Sequence, residues 1–475
     1  MQPSGYNIFT LTDFLKKIPV PDRLRRLAVS RVAAGAGPAM TLAVLLGLLA
    51  SYQIYSQRLK WPVIRVDGYG YYAYLPAIFI HRDLSLETLA REQFGGVISE
   101  KTGIRRYAAT GLYLDKYTVG TALLETPFFL IGHAFALLEG VPADGFSEPY
   151  QYAIVAAGLF YLGLGIFFSH RFLRRQLSPA PATAALLVLV FGTNLFHYAT
   201  YDCCFSHIYS FALVSLFLEL TDGFYRTPTK KCAFAVGLLL GVICCVRVTN
   251  AVVVVIFVLW GVKGRRELRE RLTERRTLAL YLVFVCGAIV GFAPQMAYWQ
   301  YAAGQLLVNS YVDEGFNWLT PHVFDVLFSV NKGLFFWCPV LFLAVAGLWA
   351  VKSRLPGLFL PLTVYHLLQL YVVSSWHSWF YGGGLGQRPY VDAMPVFAIS
   401  LAALFAASRD WKLTFSRGGE PRRSAPAWAV LAAVSIPPIL INVLFTLGYW
   451  KNIIPYNRTN LFHLVYLVKW VLSWF

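Results

Sequence analysis

Val66-Asp67-Gly68-Tyr69-Gly70-Tyr71-Tyr72-Ala73-Tyr74-Leu75-Pro76 follows closely on an apolar run at about residues 34–56. This junction decides how the chain is read. The run before it is long enough to cross the hydrocarbon core as a helix, which takes ~20 residues. The stretch after it sets one carboxylate among glycines and tyrosines, where the chain leaves the bilayer. A loop that needed only solubility would not carry so many aromatic rings. A site for a sugar or a lipid headgroup has a use for each of them.

Working outward, apolar runs of similar length recur to the end of the chain. Of 475 residues, 57% are hydrophobic and only 14% charged, too apolar for a soluble protein of this length. The pattern predicts an all-α polytopic membrane protein, a single integral membrane domain over residues 1–475 with roughly eleven transmembrane helices. The net charge of +17 would suggest nucleic acid in a soluble chain. Here the Lys and Arg residues cluster in short loops between spans, so the positive-inside bias accounts for them and no nucleic acid is expected. Cys203, Cys204, Cys232, Cys244, Cys245, Cys286 and Cys338 lack zinc-ligand spacing with histidines and read as packing residues.

Orientation follows from the basic loops. Lys16, Lys17, Arg23, Arg25, Arg26 and Arg31 mark residues 1–33 as a cytoplasmic N-terminal segment and an uncleaved anchor. Phe9, Leu11, Phe14 and Leu15 suit an amphipathic helix on the inner surface. Residues 57–148 then form a long first external loop. The remaining spans lie within 150–449, at about 150–170, 181–200, 206–225, 232–246, 248–262, 277–299, 333–351, 356–375, 391–408 and 427–449. Residues 450–475 are left as an external C-terminal tail. Arg171, Arg174, Arg175, Arg226, Lys230, Lys231, the 263–276 loop, Lys352, Arg354 and the 409–423 loop all fall on the inner side. Residues 118–138 are apolar enough to span, but doing so would invert every later basic loop. They are therefore read as a re-entrant or interfacial hairpin within the first external loop.

This topology gathers the unusual polar residues on the external face. Asp67, in a glycine-flexed turn at the membrane surface, suits a general base, with a helix cap as the plainer alternative. Asp202 and His207, at the mouth of two spans, suit an acceptor or metal site, or else a capping aspartate with an interfacial histidine. Arg247 interrupts an apolar stretch, and an intramembrane arginine marks either a cavity facing an anion or a snorkelling side chain. Lys116 and Lys332 lie at the same boundary, where a lipid phosphate would float. Trp376-His377-Ser378-Trp379 leads into a glycine run ending in Gln387-Arg388. The tryptophans alone would be interface anchors. Glycines followed by Gln387 and Arg388 add close backbone approach and a phosphate-matching guanidinium. Tyr71, Tyr72, Trp376, His377, Trp379 and Gln387 are the candidate sugar or lipid contacts.

Asp67-Gly68-x-x-Tyr71 resembles the Asp-Glu/Asp-Gly-x-x-Tyr pattern of the GT-C superfamily of membrane glycosyltransferases, which includes the protein O-mannosyltransferases and the lipid A aminoarabinose transferase. The resemblance extends through Asp83-Leu84-Ser85, Lys116 before Thr126-Pro127, and Asp202, so its anchors lie in about the first 250 residues. It implies a GT-C-like fold with interfacial or re-entrant helices in the first external loop. It implies transfer of a sugar, with inversion, from a polyprenyl-phosphate carrier to a glycan, lipid or protein acceptor on the extracytoplasmic face. A bacterial inner (plasma) membrane is the implied location. Asp67 then corresponds to the acceptor-activating base, Asp202 to the second-loop acid and Lys116 to the lysine near the carrier phosphate. The roles of Arg247, Lys332 and Arg388 rest on charge and position alone. Gly68 stands where relatives carry an acid, and no large soluble C-terminal domain follows, which leaves open both the acceptor and a divalent metal ion on Asp67, Asp202 and His207. The alternative is a transporter or flippase for a lipid-linked or anionic substrate. It is disfavoured because no internal repeat is visible and the ionisable residues gather at one face.

Overall fold

The computed structural model describes residues 46–47, 62–94, 102–410, 412–417 and 420–473. The cytoplasmic segment 1–33 lies outside these residues, and the first span at 34–56 lies almost wholly outside them. Among the described residues, seven helices are long and apolar enough to cross a membrane, as an integral membrane protein requires.

A short helix α1 (Asp67–Tyr72) opens the described chain, and a two-stranded hairpin, Ile104–Arg106 with Tyr113–Asp115, follows it. Next come α2 (Gly120–Glu139), α3 (Glu148–Gln176), α4 (Pro179–Gly192), α5 (Leu195–Thr200), α6 (Ser206–Arg226) and α7 (Lys230–Val246). A 3-10 turn, Val248–Val253, leads into α8 (Val254–Leu259), and α9 (Arg275–Ala303) follows. The second half holds α10 (Leu341–Arg354), α11 (Pro356–Ser375), α12 (Met394–Ser408), α13 (Ala427–Trp450) and α14 (Leu461–Leu472).

Three expected spans are interrupted, each for a local reason. The run at 181–200 stops at Gly192, where Thr193 turns extended and its hydroxyl accepts from the Leu195 amide. The run at 333–351 breaks before Pro339, because the residue preceding a proline is disfavoured in helical backbone. The run at 248–262 begins with extended Arg247 and a 3-10 turn, so its helical part is only Val248–Leu259. The tail 450–475 contains α14, whose start is capped by the Asn460 side chain accepting from the Phe462 and His463 amides.

Residues 118–138 depart furthest from expectation. They form no hairpin: Gly120–Glu139 is one continuous helix. It runs antiparallel to the first half of α3, with the Tyr161 hydroxyl donating to the Leu124 carbonyl and Gly132 against Pro149 and Tyr150. Its first residue packs on Cys245 and Val246. It therefore rises from the level of Arg247 to the start of α3 and never reaches the far end of α3, where Arg171, Arg174 and Arg175 lie. The inversion of the basic loops weighed against a membrane crossing here, not against a helix, and the helix itself ends beside the start of α3.

Those loops do share one end of the molecule. Arg175 pairs with Glu219 and Asp222 at the end of α6, and Arg271 donates to the Val258 carbonyl. The Gly261 amide donates to the Gly357 carbonyl, Arg354 pairs with Asp410, and Arg409 donates to Ser178.

Packing between α7 and α9 depends on glycines. A Cβ on Gly237 would lie 1.9 Å from the Phe284 carbonyl oxygen, and one on Gly291 would lie 2.1 Å from that of Leu238. Gly241 and Gly287 face the same seam, so the two backbones touch in a small-xxx-small crossing.

The described residues of segment 57–148 form a packed unit with a core of its own, in which Tyr72, Tyr74, Leu89 and Ile104 meet the start of α3 and Tyr298, Trp299 and Ala302 of α9. Two tyrosines of the opening stretch are tied to its backbone, Tyr72 donating to the Gly145 carbonyl at 2.5 Å and Tyr74 to that of Tyr117 at 2.6 Å. A larger core joins α3 to α13.

Candidate functional site

Between these two cores lies a cavity of about 710 Å³, at the end of the molecule opposite the basic loops. Asp67 enters it from the start of α1. The residue before it, Val66, is held at φ 49, a left-handed backbone that a β-branched side chain rarely adopts. Strain of this kind is concentrated at functional sites. Gly70, one turn on, is required by the packing, because a Cβ there would lie 2.2 Å from the Tyr117 ring. That close approach sets the Tyr117 hydroxyl on Asp67.

Arg388 reaches the same carboxylate from the other side of the cavity, its Nη2 2.6 Å from Asp67 Oδ2. It is delivered by the glycine-rich segment, in which Tyr381, Gly382, Gly384 and Gly386 all adopt positive φ. Arg388 also donates to the Gly383 carbonyl at 3.3 Å and lies over the Phe205 ring. Burial pushes the Asp67 carboxyl up, but Arg388, the Tyr117 hydroxyl and Lys116 together hold it below the ordinary carboxylate value. At neutral pH Asp67 is an anion clamped by a guanidinium.

Arg247 lines the cavity from the break between α7 and the 3-10 turn. Its carboxylate partner is Asp392, 3.1 Å away and buried behind the wall. Lys116 completes the basic lining, 2.7 Å from Glu314 and about 5 Å above the rings of Tyr117 and Tyr311. The segment carrying Glu314 is fastened over the site. Ser310 donates to the Lys116 carbonyl, the His377 amide donates to the Gly315 carbonyl, and Phe316 bridges to Trp376. Val246, Val248, Val308 and Trp299 add apolar surface to the lining beside the charged groups.

Of the residues singled out by sequence, Asp67, Tyr71, Lys116, Arg247, Trp376, His377 and Arg388 converge on this cavity. The others lie elsewhere. Asp202 sits in a second cluster, 2.9 Å from His197 and 2.9 Å from Arg65, with Trp450 donating to the other nitrogen of His197. His207 does not join Asp202; its Nδ1 lies 2.9 Å from Asp392. Lys332 is buried and donates to the backbone carbonyls of Gly384 and Tyr456, so it braces the glycine-rich segment from behind. Burial and Arg388 pull the Lys332 ammonium down to about 7. Tyr72 is a core residue. Gln387 is buried and donates to the Trp379 carbonyl, while the Trp379 ring faces His322.

Asp67, Asp202 and His207 thus fall into three separate clusters, and among the described residues no three His, Cys, Asp or Glu side chains are grouped to hold a metal ion. The donor set does not fit a divalent ion shared by these three.

Sequence reasoning missed Tyr117, Tyr311, Glu314, Tyr381 and Asp392. Asp392 carried a usable signal: it is a carboxylate inside the expected span 391–408, the same anomaly that marked Arg247. Tyr311 and Glu314 carried none, because only folding of the 308–316 segment brings them to Lys116.

No protein-family model matches the chain, and no curated protein matches it in sequence. Among solved structures, it is similar to the archaeal oligosaccharyltransferase AglB from Archaeoglobus fulgidus, in complex with an inhibitory peptide and a dolichol-phosphate. That match has TM-score 0.47 and 12% identity, and covers 89% of this chain and 56% of that one. The apo form of the Archaeoglobus fulgidus oligosaccharyltransferase matches with TM-score 0.47 and 12% identity, over 86% of this chain and 56% of that one. The chain therefore spans little more than half the length of these structures. Similarity at this level fixes neither fold nor activity.

Proposed function

We propose that the protein is a membrane glycosyltransferase of the GT-C type, which moves a sugar from a polyprenyl-phosphate carrier to an acceptor at the extracytoplasmic face, with inversion. One observation carries this reading: Asp67, held by Arg388, shares its cavity with Arg247 and with Lys116, which is paired with the cavity's other carboxylate, Glu314. A base and cations are the two things the reaction needs, the carboxylate to take a proton and the cations to receive a phosphate.

The carrier phosphate is an anion that Arg388 can engage only by loosening its hold on Asp67. Guanidinium geometry suits phosphate oxygens as well as a carboxylate. Donor binding would then free the base and raise its proton affinity at the moment it is needed. Asp67 accepts the proton of the acceptor hydroxyl, and that oxygen attacks the anomeric carbon. The bond from that carbon to the phosphate oxygen breaks, and its electron pair leaves on the carrier phosphate. Arg388 and Arg247 stabilise the charge that develops there. Attack opposite the leaving group inverts the anomeric centre. The apolar surface of the lining, at Val248 and Val308, suits the start of the prenyl chain, and Tyr71, Tyr311 and Trp376 offer aromatic faces to the sugar.

Mass spectrometry of the lipid that co-purifies with the protein tests the donor class. A polyprenyl phosphate or its glycoside supports the reading. Turnover of an added polyprenyl-phosphate sugar by purified protein in vesicles then separates an enzyme from a flippase, which would move the lipid without cleaving it.

A further inference from the structure

The two cavity arginines are held in different ways. Arg388 is paired with Asp67, which itself faces the cavity. Arg247 is paired with Asp392, which does not. Asp392 is 1% exposed and spends each of its oxygens on fixed partners. Oδ1 accepts from His207 Nδ1 at 2.9 Å, and Oδ2 accepts from Asn250 Nδ2 at 3.0 Å while lying 3.1 Å from Arg247 Nε. Asn250 is itself anchored, its amide also donating to Ser210 at 3.0 Å.

A buried carboxylate with partners from α6 and the 3-10 turn is a fixed point. An ion pair to it, 3.1 Å from Nε and without a hydrogen bond there, holds the guanidinium by charge and leaves its two Nη atoms for other groups. One of them is within 3.5 Å of Ser206. The extended backbone at Arg247, between α7 and the 3-10 turn, is what lets this side chain reach both Asp392 and the cavity.

We infer that Asp392 is a positioning residue for phosphate binding. Through its contact with Nε it holds Arg247 oriented toward the carrier phosphate, and His207 and Asn250 hold Asp392. The inference rests on the glycosyltransferase reading for the identity of the anion, and adds the residue that sets the second cation. It also explains why a histidine and an asparagine are buried at this depth.

The test is binding of a polyprenyl phosphate, followed by tryptophan fluorescence of protein in vesicles, alongside turnover. Wild type, Asp392→Asn, Arg247→Ala, the double variant and Asn250→Ala are compared. Asp392→Asn keeps the shape but loses the charge, and should weaken polyprenyl-phosphate binding by roughly tenfold or more, as removing one member of a buried ion pair does. In turnover the change should fall mainly on KM for the donor. Arg247→Ala should lose a similar amount, and the double variant should lose no more than the worse single one, because both remove the same interaction. Asn250→Ala leaves all charges in place and should give a smaller loss, which keeps the test open if Asp392→Asn fails to fold. Wild-type binding in Asp392→Asn, or losses that multiply in the double variant, would overturn the inference while leaving the glycosyltransferase reading intact. Failure of the wild-type protein to bind polyprenyl phosphate at all would overturn both.

Discussion

The two ends of this protein use the same side chains to different purpose. At one end Arg354, 37% exposed, pairs with Asp410, 63% exposed, beside a short loop. At the other, Arg247 and Arg388, 15% and 14% exposed, pair with Asp392 and Asp67 around a cavity. An exposed pair gives up little hydration and gains little, typically ~0–1 kcal/mol. Its cations orient the chain in the bilayer by their number, and no single one is essential. A buried guanidinium is costly to keep, and is retained where its charge meets something. The difference teaches that charge in this chain must be sorted by burial before it is interpreted.

The largest effect that would sharpen this contrast is expected at Arg388. Arg388→Gln should slow transfer on the order of 10²–10³-fold, the usual loss when a group stabilising the leaving charge is removed. Steady-state turnover measures it, and a rate within a few-fold of wild type would break the contrast. The same variant should alter the pH profile. In the wild type, Asp67 is held below the ordinary carboxylate value, so its protonated fraction grows only as pH falls through that lowered value. Donor-limited turnover should therefore stay flat through mildly acidic pH. Without Arg388 the main opposing charge is gone and burial dominates. The acid limb of the residual rate should then move to higher pH.

A smaller effect, on stability, is expected at the α7–α9 seam. Gly241→Leu should destabilise the protein by roughly 1–3 kcal/mol, as overpacking of a close contact does. It should lower the midpoint of thermal unfolding in detergent. The smallest effect is expected at the basic end, where Arg354→Gln should change stability by less than ~1 kcal/mol and leave turnover unchanged. A large loss of turnover there would mean that the two ends are not distinct in the way proposed.

Much of the membrane-embedded frame was legible in the sequence, since α3, α6, α9, α11 and α13 follow from apolar length alone. Asp67 and Arg388 were legible as well, one by its odd setting among tyrosines and the other by the glycines before it. Their contact was not, because nothing local links positions so far apart. Thr193 and Pro339 broke helices that hydropathy averaged over. In the 118–138 segment the decision against a span came from the basic loops, and the hairpin expected instead is one continuous helix, Gly120–Glu139. Helix α2 starts beside Val246 at the cavity. Lys332 and Gln387 carried the right chemistry for a site but point into the backbone behind it. A polar side chain near a boundary says nothing of which way it faces.

The central claim is that Asp67 is the base in a cavity whose cations hold a lipid phosphate. It is met most directly by measuring carrier release and carrier binding together in Asp67→Asn. The account predicts loss of transfer from a polyprenyl-phosphate sugar by at least about 10²-fold, with polyprenyl-phosphate binding retained or tightened because Arg388 has lost its competing partner. Transfer at the wild-type rate, or binding lost along with transfer in a folded protein, would contradict it.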